Sequence, residues 1–506
     1  MGRIKNASRN IAFGYLGTIA TAVMSFVLRT IFIRYLSEHL LGVNTLYTDI
    51  LSLLSMAELG IGTALNFSLY KPVAEGDTET IESYMRMYRR AYHTIAAVVA
   101  VLGLLLAPFL QHIVRNPGSI ALRDLRLYYF IFLFNTVTSY FVAYKYSLVN
   151  AEQKNYIQTN ILTITKVVSV FCQIVVLLVT KNFYAYLLTD AAVQLLQKIF
   201  VSRYLDRRYP YLNDKNVTPL SKEAAGEIWS KTKALIMHKV GDVARLQTDT
   251  LIISAMIEVK IAGFVSNYTL VISTISNFAN IIFNSVISSF GNLIATESKE
   301  KQYEIFKVYR FLAQWVYGFT FTGFFLLLTP LIRLWLGDAW VLPASAISLL
   351  LIDYYFKGDR IVLSNFKTAA GVFEEDKYLA LLQGVVNLVI SIALVRVMGL
   401  PGIYVGTIVS GLIANVTKPF IIYRTCFDRG AGSYFKDSAL YLVVLVFILA
   451  VSYGAMQVLP QGGVVSFFAA AVMITVIFHV IFFAFFGRTA EFQYLWEKVS
   501  QRGRVH

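Results

Sequence analysis

The hydrophobic residues of this 506-residue chain run in blocks of roughly 20 along its whole length. One such block, coiled as a helix rising about 1.5 Å per residue, crosses the ~30 Å hydrocarbon core of a bilayer. Within lipid each amide must be bonded inside its own segment, so continuous apolar runs of this length have to be helices. Composition agrees. Hydrophobic residues make up 57% of the chain and charged residues 15%, where a soluble domain carries about 25% charged. The sequence reads as an all-α polytopic membrane protein, and an ordinary soluble enzyme is excluded.

About fourteen transmembrane helices are expected, near 11–36, 43–70, 91–113, 127–149, 158–180, 183–204, 232–257, 263–295, 311–332, 342–368, 377–396, 401–423, 438–458 and 464–487. The first is too long for a signal-peptide core and is read as an uncleaved span. Asn6 stands where a myristoylation signal needs Ser or Thr, so no lipid anchor is assigned. The segments 71–90, 203–233, 299–310 and 424–436 are basic, whereas 37–42, 258–262 and 459–463 are short and nearly free of Lys and Arg. Basic loops stay on the cytoplasmic side, so both termini are expected there. The formal net charge of +15 is accordingly assigned to inner loops facing anionic lipid, and no nucleic-acid partner is expected. Cys172 and Cys426 need not pair, and no Cys/His spacing suggests a metal or cofactor.

The sequence also repeats itself. At an offset of 221, 31–55 falls on 252–276 and pairs Ile31 with Ile252, Gly42 with Gly263, Tyr47 with Tyr268, Thr48 with Thr269, Ser52 with Ser273 and Ser55 with Ser276. An even number of spans per half makes the repeats parallel, an arrangement used by alternating-access transporters, although channels and structural proteins also arise by duplication. The expected organisation is an N-terminal lobe over 1–205, a cytoplasmic linker over 206–231, a C-terminal lobe over 232–424, and two further spans with a tail over 425–506. The two pseudo-symmetric six-helix lobes would surround a central cavity.

Ionisable residues inside the apolar runs carry the functional signal. With about 100° per residue, Thr18, Thr21, Ser25 and Arg29 share one stripe of the first span. The same holds for Thr159, Thr163, Lys166 and Gln173, for Asp190, Gln194, Gln197 and Lys198, and for His238, Asp242, Arg245 and Asp249. In the tenth span Asp353, Lys357, Arg360, Ser364 and Lys367 read as one continuous stripe. Each charge facing lipid costs about 2.5–3.5 kcal/mol, so ten would cost roughly 25–35 kcal/mol and exceed the ~5–15 kcal/mol that holds a fold together. Most must face a wet interior. Asp242 with Arg245, Arg245 with Asp249, and Asp353 with Lys357 are spaced to pair. Arg34, Lys198 and Arg396, near span ends, are expected to snorkel. Arg29, Lys145 and Lys166 outnumber the acids near them, and with Lys357 and Arg360 they are the candidate substrate-binding cations. Surplus positive charge implies an anionic substrate. Glu58, Asp190, Asp242, Arg245 and Asp249 are candidate ion-coupling or ion-pair positions.

The segments AEQKNY (151–156), TDTLIISAM (248–256), SSFGNLIATESK (288–299), LIRLWLGDAWVLP (331–343) and above all 356–410 resemble the polysaccharide transporter family. That family includes Wzx-type flippases and belongs to the multidrug/oligosaccharidyl-lipid/polysaccharide exporter superfamily. The resemblance implies a two-lobed bundle in the cytoplasmic membrane that moves an undecaprenyl-diphosphate-linked oligosaccharide from the inner to the outer leaflet. It also implies pathway partners such as a polysaccharide polymerase and glycosyltransferases. The lipid II flippase of the same superfamily has arginines in its amino-terminal cavity, one on the first span, and Arg29 matches by placement. For the sugar, Asn135, Tyr140, Tyr144, Asn267 and Tyr268 are candidates. Competing readings are a multidrug or organic-cation antiporter, which would want a net acidic cavity, a membrane enzyme, for which no nucleophile motif or carboxylate pair is present, and a non-transporting scaffold.

Overall fold

The computed structural model describes residues 2–55, 58–213, 220, 226, 247–372, 375–376, 378–460 and 462–502. Among these, ten helices are long and apolar enough to cross a membrane, and no strand occurs. The outer surface is apolar: Val179, Val397 and Val465 expose 78%, 84% and 84% of their area, which is tolerable against lipid and not as a continuous patch in water. The protein is a multi-pass membrane protein.

The chain packs as two compact units, Met1–Gly263 and Phe264–His506. The first contains α1 (Gly2–Tyr35), α2 (Glu38–Leu54), α3 (Glu58–Glu75), α4 (Thr78–Leu106), α5 (Leu122–Ala151), α6 (Asn155–Thr180) and α7 (Phe183–Arg208). Helix starts are set by small polar caps that accept otherwise orphaned amides. Ser37 accepts from Leu40, Asp77 from Thr80, and Asn182 from both Tyr184 and Ala185. The core of this unit is rich in tyrosine. Tyr47 and Tyr129 are fully buried, and their hydroxyls donate to Leu125 O and Gly103 O, each at 3.0 Å.

The span expected over 43–70 is not one helix. The Oγ atoms of Ser52 and Ser55 donate back to Thr48 O at 2.9 Å and Leu51 O at 2.7 Å, and Ser55 closes α2 at φ −80°, ψ 1°. Residues 56 and 57 lie outside the described residues, and Glu58 stands at the described start of α3. At the other end of α2, a Cβ on Gly42 would lie 1.9 Å from Val259 O, and one on Gly263 would lie 2.8 Å from Gly42 N. The two glycines that the internal repeat pairs thus pack directly on each other's backbone. Because the obstructing atoms are main chain, Gly42→Ala is expected to cost at least about 1–3 kcal/mol, read as a lower unfolding temperature and reduced membrane abundance.

After α8 (Val259–Asn284) the chain continues through α9 (Ile287–Thr296), α10 (Lys299–Leu336), α11 (Ala344–Asp359), α12 (Ile361–Ala370), α13 (Leu379–Met398), α14 (Leu400–Phe427), α15 (Gly432–Met456), α16 (Val464–Phe486) and α17 (Ala490–Arg502). The segment 299–310, expected as a cytoplasmic loop, is the first third of α10. Ser298 caps it, accepting from Lys301 N. The tenth expected span is interrupted at one residue: Arg360 (φ −96°, ψ 0°) stands between the end of α11 and the start of α12. Just before the break, a Cβ on Gly358 would meet the Tyr317 ring at 2.3 Å. The stripe from Asp353 to Lys367 is therefore divided between two helices.

That break is tied to α15 by a buried polar network. Arg310 is 2% exposed. Its guanidinium lies 3.7 Å from the centre of the Tyr434 ring and donates to Tyr434 O at 2.7 Å and Ser438 Oγ at 2.6 Å. It stands 3.9 Å from Asp359, which also accepts from Tyr434 Oη at 3.0 Å, Ser438 Oγ at 3.1 Å and Gln314 Nε2.

Candidate functional site

A polar hollow of the first unit lies among α2, α3, α5 and α7. It has two adjoining chambers of about 600 Å³ and 190 Å³ that share Thr48, Phe132, Asn135 and Asp190. Polar residues of α2 line the larger chamber because Thr48, Ser52 and Ser55 recur every three to four residues and so fall on one helical face. Glu58, Ser139, Gln194 and Lys198 complete much of its wall. The smaller chamber adds Asn44, Lys166, Gln173 and Tyr186.

The wall holds a set of hydrogen bonds with one gap. Asp190 accepts from Ser169 Oγ at 2.5 Å and Asn135 Nδ2 at 3.4 Å. Lys198 donates to Asn135 O at 2.7 Å, Asn135 Oδ1 at 2.8 Å and Thr138 Oγ1 at 2.9 Å. This lysine is buried against α5 and does not snorkel to the interface as its position near a span end led us to expect. Lys166, in contrast, lines the smaller chamber and makes no hydrogen bond or ion pair among the described residues. The same is true of Glu58 in the larger chamber, whose electrostatic neighbours include the hydroxyls of Tyr92 and Tyr140.

The other expected cations lie elsewhere. Lys145 is buried in an ion pair with Asp206 at 2.6 Å, supported by Ser202 at 2.8 Å, and does not line either chamber. Arg29 is half-buried beside Tyr186, a residue of the smaller chamber's wall. In the second unit Lys357 pairs with Asp353 at 2.5 Å, the pairing its spacing suggested. Arg360 is buried and donates to Gly411 O at 2.9 Å and to Asn415 Oδ1. His238, Asp242 and Arg245 lie outside the described residues, while Asp249 is half-buried on the helical turn before residue 253. The described titratable lining of the two chambers is balanced, with Glu58 and Asp190 against Lys166 and Lys198. The expected cationic surplus is absent from that lining because Lys145 has its own acid. Of the residues suggested for sugar contact, Asn135 lines both chambers; Tyr140, Tyr144, Asn267 and Tyr268 are buried in packing. The α2 hydroxyls were not among the expected site residues, yet Thr48, Ser52 and Ser55 are three of the six repeat identities.

The hollow is lined by amides, hydroxyls and an ammonium with no partner among the described residues, inside a bundle whose exterior is apolar, and known membrane transporters share this fold. The lipid II flippase MurJ, in an inward closed conformation, superimposes with a TM-score of 0.71 at 12% identity, covering 94% of this chain and 99% of that one. An inward-facing multidrug resistance MATE family transporter of the MOP superfamily gives 0.62 at 14% identity over 79% of this chain and 92% of that one. The Vibrio cholerae MATE transporter VcmN gives 0.57 at 13% over 86% and 99%. The chain belongs to the polysaccharide biosynthesis protein family, whose pattern matches residues 7–288. No curated protein matches the sequence. The solved structures that share its fold are a flippase and transporters.

Proposed function

We propose that the protein is a flippase for an undecaprenyl-diphosphate-linked oligosaccharide, carrying it from the inner to the outer leaflet of the cytoplasmic membrane by alternating access, with both chain termini cytoplasmic. The observation that carries this reading is Lys166: an ammonium lining a polar chamber with no hydrogen-bond or ion-pair partner among the described residues. A diphosphate brings about two negative charges that hydrocarbon rejects. Lys166 meets them as a point charge, while Asn135, Gln194 and the hydroxyls of Thr48, Ser52 and Ser55 suit a glycan. Arg29, beside Tyr186, is the proposed second phosphate ligand, and Lys357 and Arg360 are proposed as further substrate-binding cations. Glu58 is the proposed coupling position. The glycosyltransferases that build the substrate and the polymerase that consumes it are the expected pathway partners.

The test is translocation of a lipid-linked oligosaccharide by the purified protein in liposomes, with added organic cations as the competing substrate. An organic-cation antiporter on this fold would rest on Glu58, an acid of the same wall with no hydrogen-bond or ion-pair partner among the described residues. It would lose transport in Glu58→Gln and keep it in Lys166→Gln, whereas the flippase loses headgroup capture in Lys166→Gln. Arg29→Lys is expected to retain part of the activity, because it keeps the charge and loses the fork, and Arg29→Ala little. Equal activity of both Arg29 variants and the wild type would remove Arg29 from the binding set.

A further inference from the structure

A second cavity, of about 340 Å³, lies in the second unit where three elements end together: the last turns of α10 and α15 and the first turns of α16. Its wall is mostly apolar, including Leu326, Pro330, Leu334, Met456, Phe467 and Ala470. Membrane helices end at the headgroup level, so a slot bounded by three helix ends begins there and runs inward along the acyl chains. One cation stands at it. Arg333 lines the slot, its Nε donates to Asp338 Oδ1 at 2.5 Å, and its terminal amino groups make no hydrogen bond or ion pair among the described residues. Asp338 occupies one edge of the guanidinium and leaves the other able to take a phosphate oxygen. Gln457 adds a neutral polar group beside it. Next to it Gly462 and Gly463, at φ +90° and +85°, turn the chain in a conformation that side chains resist.

We propose that this slot binds one anionic phospholipid of the surrounding bilayer, with an acyl chain inside and the phosphate on Arg333. An apolar hollow facing lipid would not stay empty, since chain packing regains the contacts its lining otherwise lacks. The unused guanidinium edge selects a lipid with a charged headgroup over a neutral one. The site is separate from the chambers around Lys166, which belong to the other compact unit.

The experiment uses the full-length protein, purified in nonionic detergent and stripped of lipid, titrated with phosphatidylglycerol and followed by native mass spectrometry and thermal unfolding. One saturable lipid and a rise in unfolding temperature are expected. Arg333 is exposed, so Arg333→Gln should leave the lipid-free unfolding temperature unchanged and weaken binding about fivefold, the effect of one cation at a headgroup surface. Ala470→Leu, which fills the slot, should abolish the tight lipid. Wild-type binding in both variants would overturn the proposal. So would displacement of phosphatidylglycerol by a lower concentration of undecaprenyl phosphate, which would make the slot part of the substrate path. Loss of transport in Lys166→Gln with lipid binding intact keeps the two readings apart.

Discussion

Lys166→Gln is expected to reduce substrate capture tenfold to a hundredfold while the protein accumulates normally in the membrane. A hydrogen bond to a charged group contributes about 1.5–3 kcal/mol, and Lys166 has no protein partner among the described residues to strand when it is removed. Lys166→Arg should keep much of the activity, since charge rather than geometry is the requirement at this position. The measurement is surface-glycan export together with membrane abundance in cells carrying each variant. Lost abundance in Lys166→Gln would show that the ammonium supports the fold, and the anionic-headgroup reading would lose its main observation. Lys145→Gln should behave in the opposite way. Its half-buried partner Asp206, 2.6 Å away, would lose its counter-charge, so abundance falls first.

The second large effect is expected at Arg310. Removing one member of a buried charge pair costs about 3–5 kcal/mol, because the remaining charge has lost its compensation. Arg310→Met should therefore lower the unfolding temperature sharply and deplete the protein from the membrane. Asp359 accepts from Tyr434, Ser438 and Gln314, so Asp359→Asn in the Arg310→Met background removes the stranded carboxylate and should restore part of the loss. A double-mutant cycle on unfolding temperature measures that coupling. Additive losses would show that the two residues act independently across their 3.9 Å separation.

The helical membrane class, the apolar exterior and most span positions were legible because twenty-residue apolar runs leave the backbone little choice. Two spans broke where the sequence reading saw continuity. At Ser55 and at Arg360 no proline marks the place, and the backbone angles that end α2 and α11 there are not visible in hydropathy. Periodicity identified which face of a helix is polar, as it did for Lys166 and Asp190, but not what that face meets. Lys145 finds Asp206 only because α5 and α7 pack together, 61 positions apart in sequence. Lys198 turned inward for the same kind of reason. Arg310 was assigned to a loop because the helix carrying it starts eleven residues before it, in sequence too charged to resemble a span. The hydroxyl row of Thr48, Ser52 and Ser55 carried a signal, since it recurs in the repeat, though as identity rather than as chemistry.

The Arg310 network also constrains how the protein can be made. Arg310 precedes Tyr434 by 124 residues, so at about 5–20 residues per second its partners on α15 emerge from the ribosome roughly 6–25 s after it does. During that interval Arg310 and Asp359 have no α15 to bond to, and their helices cannot settle dry into the bilayer. The final helices thus act as the closing step of biogenesis for the second unit. A ribosome stalled before Gly432 would hold a chain whose apolar spans are ready for lipid and whose two central charges are not, the kind of intermediate that insertion chaperones and membrane proteases sort.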